Sequence, residues 1–391
     1  MFLKRMVRNY VDRMAKNPLK GSHERRALLS YIARPLRRRR AYTAHTNYNE
    51  VLAICEVLDE LGYIVDVIHF QHIHPGTFRH YDLIIGFGAA LEQALASKRA
   101  NQAVVFYGTG MAPERQNTAS IGRLLEAFSK TNIWMIDSCR LVQFCWPLQT
   151  SIPDGMILLG NDVTRESYEN FVSDRIRLQN VSCHPAIREV KSISLSDESG
   201  GGANDSGFVW FGSAGALHKG LDLLIDVFSS RTDAILHICG PVAQEKSFWD
   251  YYEKIVSKND NIYYHGFVDI KSNKFIEIVS SSKFVIHPSC AEGQPSSVVN
   301  LMATGLIPIV SQYSGINVPN VSICIESLNE TSVEKAVDVA QNLSDEEFHV
   351  RRRTCMEWVR ANHSIEAFKD LFKRNVSETL EDISARRKGR W

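Results

Sequence analysis

Short runs of apolar and β-branched residues alternate with helix-patterned segments from residue 41 onward, and that alternation restricts the fold more than any other feature of the chain. Tyr48 to Gly62 (YNEVLAICEVLDELG) has apolar residues at helical intervals and a closing glycine. Tyr63 to Phe70 (YIVDVIHF) then reads as a strand. Asp82 to Gly86 (DLIIG), Ala103 to Tyr107 (AVVFY) and Met156 to Leu159 are short apolar runs of the kind buried in parallel sheets. A second cycle starts at Phe208 and continues with helix Gly220 to Ser229, strand Ala234 to Cys239, helix Phe248 to Val256 and strand Ile262 to Tyr264. Helix Lys274 to Ser280, strand Phe284 to His287, helix Ser296 to Thr304 and strand Ile307 to Ser311 complete it. Strands alternating with helices require right-handed crossovers and a parallel sheet. The expectation is an α/β chain of two doubly wound, Rossmann-like domains facing each other across a cleft.

A length of 391 residues suits two domains, each with its own core. The expected division is a basic arm at 1–40, a first domain at 41–193, a Ser/Gly-rich linker at 194–207 and a second domain at 208–363, with a terminal helix at 364–391 crossing back to the first. Hydrophobic residues make up 44% and charged residues 23%, which excludes a disordered or collagen-like chain. No apolar run reaches the roughly 18 residues that span a bilayer. The eight cysteines form no CxxC pair and read as reduced core thiols of a cytoplasmic protein.

Net charge is +1, yet residues 1–40 hold thirteen Lys/Arg against only Asp12 and Glu24. Three readings of that arm stay open: an amphipathic segment on an anionic inner membrane face, a nucleic-acid tail, or a solvated leader. No recognition motif accompanies the charge, so nucleic acid is not expected as a partner.

Chemistry concentrates in three strand exits. In Phe284 to Gly305 (FVIHPSCAEGQPSSVVNLMATG) a buried strand ends, a turn presents Glu292-Gly293, and a helix begins near Ser296 and Ser297. Open helix starts offer backbone N–H groups and partial positive charge to a phosphate. In Phe211 to Gly220 (FGSAGALHKG) a glycine-bearing loop follows a strand, and Lys219 can neutralise a diphosphate. Tyr264 to Val268 is a third exit, whose backbone can pair with a nucleobase edge. Taken singly, each has a plainer reading. Lys219 alone is a solvated helix-start lysine, Glu292 a helix-entry cap, His287 a core histidine, and His218 and His265 loop residues. The order of the exits on one rim, beyond the carboxyl ends of successive strands, is what favours a ligand site.

On these residues, 208–318 resembles the donor-binding domain of family 4 glycosyltransferases, retaining enzymes of the GT-B fold. FVWFGSAGALHKGLDLLIDVF, ILHICGP, YYHGFV, FVIHPSCAEGQPSSVVNLMATGLIPIVS and SGI carry the resemblance. It implies that Glu292 is the first glutamate of an E-x7-E motif near the donor sugar, and that Lys219 contacts the donor diphosphate. Gly212, Ser213, Gly240, Gly266, Phe267, Val268, Gly293, Ser296, Ser297 and Asn300 would line the donor site. Two positions depart from the family pattern: Asn300 stands where the second glutamate is expected, and Ser213 where arginine is common.

The first half matches the family only in style, and His45, Asn47, Thr109 and Gly110 are its acceptor-side candidates. The chain has no D-x-D and no zinc spacing, so neither a metal nor another cofactor is expected. The resemblance implies a metal-independent hexosyltransferase that moves a sugar from a nucleotide-diphosphate donor to an acceptor hydroxyl, and the basic arm motivates a glycan, lipid-linked or protein acceptor in bacterial surface polysaccharide or glycoconjugate synthesis. A sugar-nucleotide epimerase and a non-catalytic glycan- or partner-binding module are the alternatives.

Overall fold

The computed structural model describes residues 14–37, 46–74, 76–143, 147–169, 175–187 and 207–389. These form two compact units: residues up to Thr109 with Phe144–Ser182 and Ile365–Trp391, and Gly110–Gln143 with Cys183–Ser364. The expected linker at 194–207 falls almost wholly outside the described residues. No helix among the described residues is long and apolar enough to cross a membrane.

The first unit is built on seven strands: β1 Met14–Ala15, β2 Arg25–Tyr31, β3 Tyr63–His69, β4 Leu83–Gly86, β5 Ala103–Gly108, β6 Gly155–Leu159 and β7 Ile176–Gln179. Their spatial order is β1-β3-β2-β4-β5-β6-β7, parallel except for β1, which runs antiparallel to β3. The segment 14–37 of the expected arm therefore contains structure, and β2 lies inside the sheet between β3 and β4. Counting charge hid it. The cations sit at the start of the strand, while Ala27, Leu28 and Leu29 are fully buried. Arg26 donates to Asp66 at 2.8 Å, and Arg25 lies over the Tyr63 ring while donating to Leu61 O. Residues 1–13 and 38–40 of the arm lie outside the described residues.

Helix Ile365–Lys388 packs in this unit against helix Thr46–Glu60 and the β6–β7 edge. It buries Phe368 and Phe372, and Asn375 Nδ2 donates to Leu178 O at 2.9 Å. Lys369 and Lys373 pair with Glu56 and Glu60 on the facing helix.

The second unit has six strands, all parallel: β8 Gly207–Phe211, β9 Ile235–Cys239, β10 Ile262–Gly266, β11 Ser282–His287, β12 Ile307–Ser311 and β13 Ile323–Ile325. The order β10-β9-β8-β11-β12-β13 reverses direction between β8 and β11. In doubly wound sheets, ligands bind at such a switch point, outside the carboxyl ends of the strands. The two loops that leave it are Gly212–Gly220 and the turn from Pro288 into helix Ser296–Ala303.

Helix Pro113–Thr131, which the sequence reading placed in the first domain, groups with this second unit. Its buried Arg123 pairs with Asp222 on helix Leu221–Ser229, and Lys130 donates to Asp226 at 2.7 Å and Glu330 at 2.6 Å. The cysteine reading also needs correction. Cys55, Cys239, Cys290 and Cys355 are buried thiols, but Cys324 is exposed on β13, because that edge strand turns one face to solvent.

Candidate functional site

Two loops at the β8/β11 switch point meet around Glu292. The turn that carries it is clamped from behind: Glu292 N donates to Tyr313 O at 2.9 Å, and Gln294 Nε2 to Gly315 O at 3.3 Å. Gly315 adopts φ 67°, and any side chain there would collide with the Gly293 carbonyl. Gly220 plays the matching part on the other loop. Its φ of 66° brings it against the Pro288 carbonyl with no room for a Cβ, which joins the end of the Lys219 loop to the β11 exit.

The resulting cluster is buried and charged. Lys219 Nζ donates to Ala214 O at 2.8 Å and lies 3.5 Å from Glu292 Oε1. Arg140 Nη1 stands 3.4 and 3.3 Å from the two Glu292 oxygens. His218 Nε2 and His287 Nε2 approach Oε1 to 3.8 and 4.0 Å. Burial by itself would raise the Glu292 carboxyl; Lys219, then Arg140, outweigh it and hold the group well below the usual carboxylate range. Burial lowers Lys219 to about 8, with Glu292 opposing and Arg140 assisting the shift. Burial also lowers His218 to about 4 and moves His287 in the same direction, so both rings are neutral near pH 7.

His218 is not the loop residue the sequence suggested. It is 1% exposed, with Nδ1 2.7 Å from Ser120 Oγ and 3.3 Å from Cys290 Sγ. Its Nε2 and both ring nitrogens of His287 are buried without a hydrogen-bond partner, which leaves polar capacity in this cluster.

The other candidates divide. Helix Ser296–Ala303 begins after Pro295 with no side-chain cap, and the N–H groups of the half-buried Ser296 and Ser297, at its first two positions, have no intrahelical partners. Gly212 N donates to Cys239 O at 2.9 Å and Gly240 N to Gly266 O at 2.8 Å, which ties the ends of β8, β9 and β10 together. Ser213 is exposed. Phe267 projects outward, 73% exposed, whereas Val268 is buried. Asn300 Oδ1 accepts from His184 N at 2.8 Å, so its oxygen already serves the chain. On the acceptor side, Asn47 sits in the first turn of its helix, Thr109 is exposed after β5, Gly110 falls in the second unit, and His45 lies outside the described residues.

Two residues of the site were missed by sequence reasoning. Glu245 is 5% exposed and accepts from Gly215 N at 2.6 Å and Ala216 N at 2.8 Å, so an internal carboxylate fills part of the glycine loop's anion-binding edge. Arg140 reaches Glu292 from 152 positions away in sequence, and no local pattern marks it. Among the described residues, no group of three or more His, Cys, Asp or Glu side chains is placed to hold a metal ion.

Residues 175–322 match the family model described as glycosyl transferases group 1. A search of curated proteins finds no match. Among solved structures, sucrose-phosphate synthase from Thermosynechococcus elongatus is similar, with a TM-score of 0.60 at 13% identity over 91% of this chain and 98% of that one. Anabaena HepE, solved with UDP and glucose, gives a TM-score of 0.55 at 12% identity over 92% of this chain and 100% of that one. A glycosyltransferase from Rickettsia africae gives 0.59 at 12% identity, over 92% and 99%. At these identities the structural likeness is one of fold. The structural likeness shows that the chain has the GT-B fold, and the segment similar to group 1 glycosyltransferases spans the Lys219 loop and the Glu292 turn.

Proposed function

We propose that this protein transfers a sugar from a nucleoside diphosphate sugar to an acceptor hydroxyl with retention at the anomeric carbon. The observation that carries the reading is a buried carboxylate kept ionised by Lys219 and Arg140, next to an uncapped helix start at a sheet switch point. As the bond from sugar to diphosphate breaks, negative charge grows on the departing phosphate oxygen. Lys219 and the N–H groups at Ser296 and Ser297 stabilise that charge, in a site where water screens little. The positive charge that grows on the sugar ring is opposed by the Glu292 carboxylate. The acceptor oxygen bonds to the anomeric carbon on the face the diphosphate leaves, and the acceptor proton passes to the leaving diphosphate. The binding of UDP and glucose by Anabaena HepE, which shares the fold, supports a donor of this class.

A thermal-shift panel with UDP-, GDP-, ADP- and dTDP-sugars, with and without EDTA, tests the reading. Ligand at 100 times its dissociation constant stabilises by about 2.7 kcal/mol. One donor should shift the wild type regardless of EDTA and leave Lys219→Ala unmoved. The absence of any shift across the panel would transfer the case to a non-catalytic module.

A further inference from the structure

We propose that Arg140 is a donor-binding residue, which leaves Glu292 to share the donor's diphosphate with Lys219; the inference rests on the donor reading above. The charge balance asks for such a group. A sugar diphosphate ester carries two negative charges, and the loop Gly212–Gly220 supplies one cation, Lys219. Two backbone N–H groups of that loop, at Gly215 and Ala216, are already taken by Glu245.

The geometry shows that Glu292 does not use Arg140 fully. At 3.3 and 3.4 Å both separations exceed the roughly 2.7–2.9 Å of a charge-assisted hydrogen bond. Exposure separates the three charges further: the Arg140 side chain is 52% accessible, against 10% for Glu292 and 4% for Lys219. Arg140 is the one of the three that can exchange a partner without unpacking the site, and its planar fork matches a phosphate.

The backbone that carries Arg140 is held on both sides. Gln116 Nε2 donates to Arg140 O at 2.8 Å, and Asn117 forms a reciprocal pair with the Val142 backbone. Just upstream, the Ser138 carbonyl accepts from His218 N, and Asp137 accepts from Ser247 N at 3.0 Å. Helix Pro113–Thr131, from which this segment continues, is pinned to the unit through Arg123 and Asp222. These contacts fix the backbone from which the Arg140 side chain extends toward Glu292.

Calorimetric titration of wild type, R140Q and R140K with UDP, GDP, ADP, dTDP and their monophosphates tests the inference. The diphosphate-over-monophosphate preference of the wild type should fall about 10- to 100-fold in R140Q, the range expected when one charged hydrogen-bonding group is lost. R140K should recover part of it, and monophosphate binding should change little. An unchanged preference in R140Q overturns the inference and leaves the donor reading standing. Equal loss for diphosphate and monophosphate also overturns it, because it marks a structural role. Wild type binding none of the four diphosphates defeats the donor reading and the inference together.

Discussion

Glu50 in the first unit and Glu292 in the second are both buried carboxylates, 2% and 8% exposed, but their surroundings drive them to opposite states. Glu50 accepts from Ser182 N at 2.8 Å and from Ser182 Oγ at 3.3 Å. Burial lifts it to about 7, and these two hydrogen bonds only reduce the shift. Glu292 is also desolvated and is nevertheless pulled down, because Lys219 and Arg140 reach it. Depth of burial therefore does not identify the working group. A buried acid with dipoles alone drifts toward the neutral form, and one with cations stays an anion that can act on a charged transition state.

The sharpest way to break this comparison is to remove the charge at Glu292 and keep its shape. Glu292→Gln should lower turnover by about 100- to 1,000-fold, the scale of losing one preorganised electrostatic group. Nucleoside diphosphate binding should hold or tighten, since a negative charge beside the bound anion is gone. Steady-state kinetics beside calorimetry read the two separately. Equal losses in both would mean that Glu292 only keeps Lys219 and Arg140 in place.

A pH profile probes the cation side with a smaller effect. The ammonium form of Lys219 dominates below about 8 and is lost above it, because burial destabilises the charge more than Glu292 restores it. For the free enzyme, kcat/KM for the donor should fall as pH rises through about 8. Lys219→Arg should move that limb upward. A wild-type limb near the ordinary lysine value of about 10.4 would show that Lys219 is not the group being read.

Glu50 gives the mildest contrast, and its sign is the reverse of an ion-paired acid. Its folded pKa of about 7 lies above the unfolded value, so its contribution to stability is complete below about 4.3 and is lost as pH rises to 7. Glu50→Gln should therefore stabilise the fold by about 3 to 4 kcal/mol at pH 8 and by almost nothing at pH 4. Urea midpoints at the two pH values check this. A variant that is weaker at pH 8 would show that the ionised carboxylate is the form the fold uses.

How much of this was legible depended on whether the signal was local. The strands β3, β4, β5, β6, β8, β11 and β12 could be read because each is a short apolar run buried largely on both faces, and β9 and the edge strand β10 because their aliphatic and aromatic residues fall between helix-patterned segments. β2 was lost for the opposite reason. Its apolar core, ALLSY, follows two arginines in a stretch dominated by cations, and those arginines find their partners, Asp66, Tyr63 and the Leu61 carbonyl, only in the folded sheet. Glu292, Lys219 and the helix start at Ser296 were visible as motifs because each lies at a strand exit. Arg140 and Glu245 were not, since an arginine after a helix and a glutamate before one look like surface residues in any sequence.

The same division separates the two levels of description. The sequence by itself determined the alternation of strand and helix, the parallel sheets that follow from it, and the glycine positions where backbone meets backbone. Periodicity and steric limits act over a few residues, so they can be read along the chain. The tertiary structure alone decided that residues 110–143 group with the second sheet, that Asn300 spends its oxygen on His184, and that Arg140 stands beside Glu292. Those outcomes depend on electrostatic and hydrogen-bond partners about a hundred or more positions apart, and the strength of such pairing is fixed by distance and burial in three dimensions.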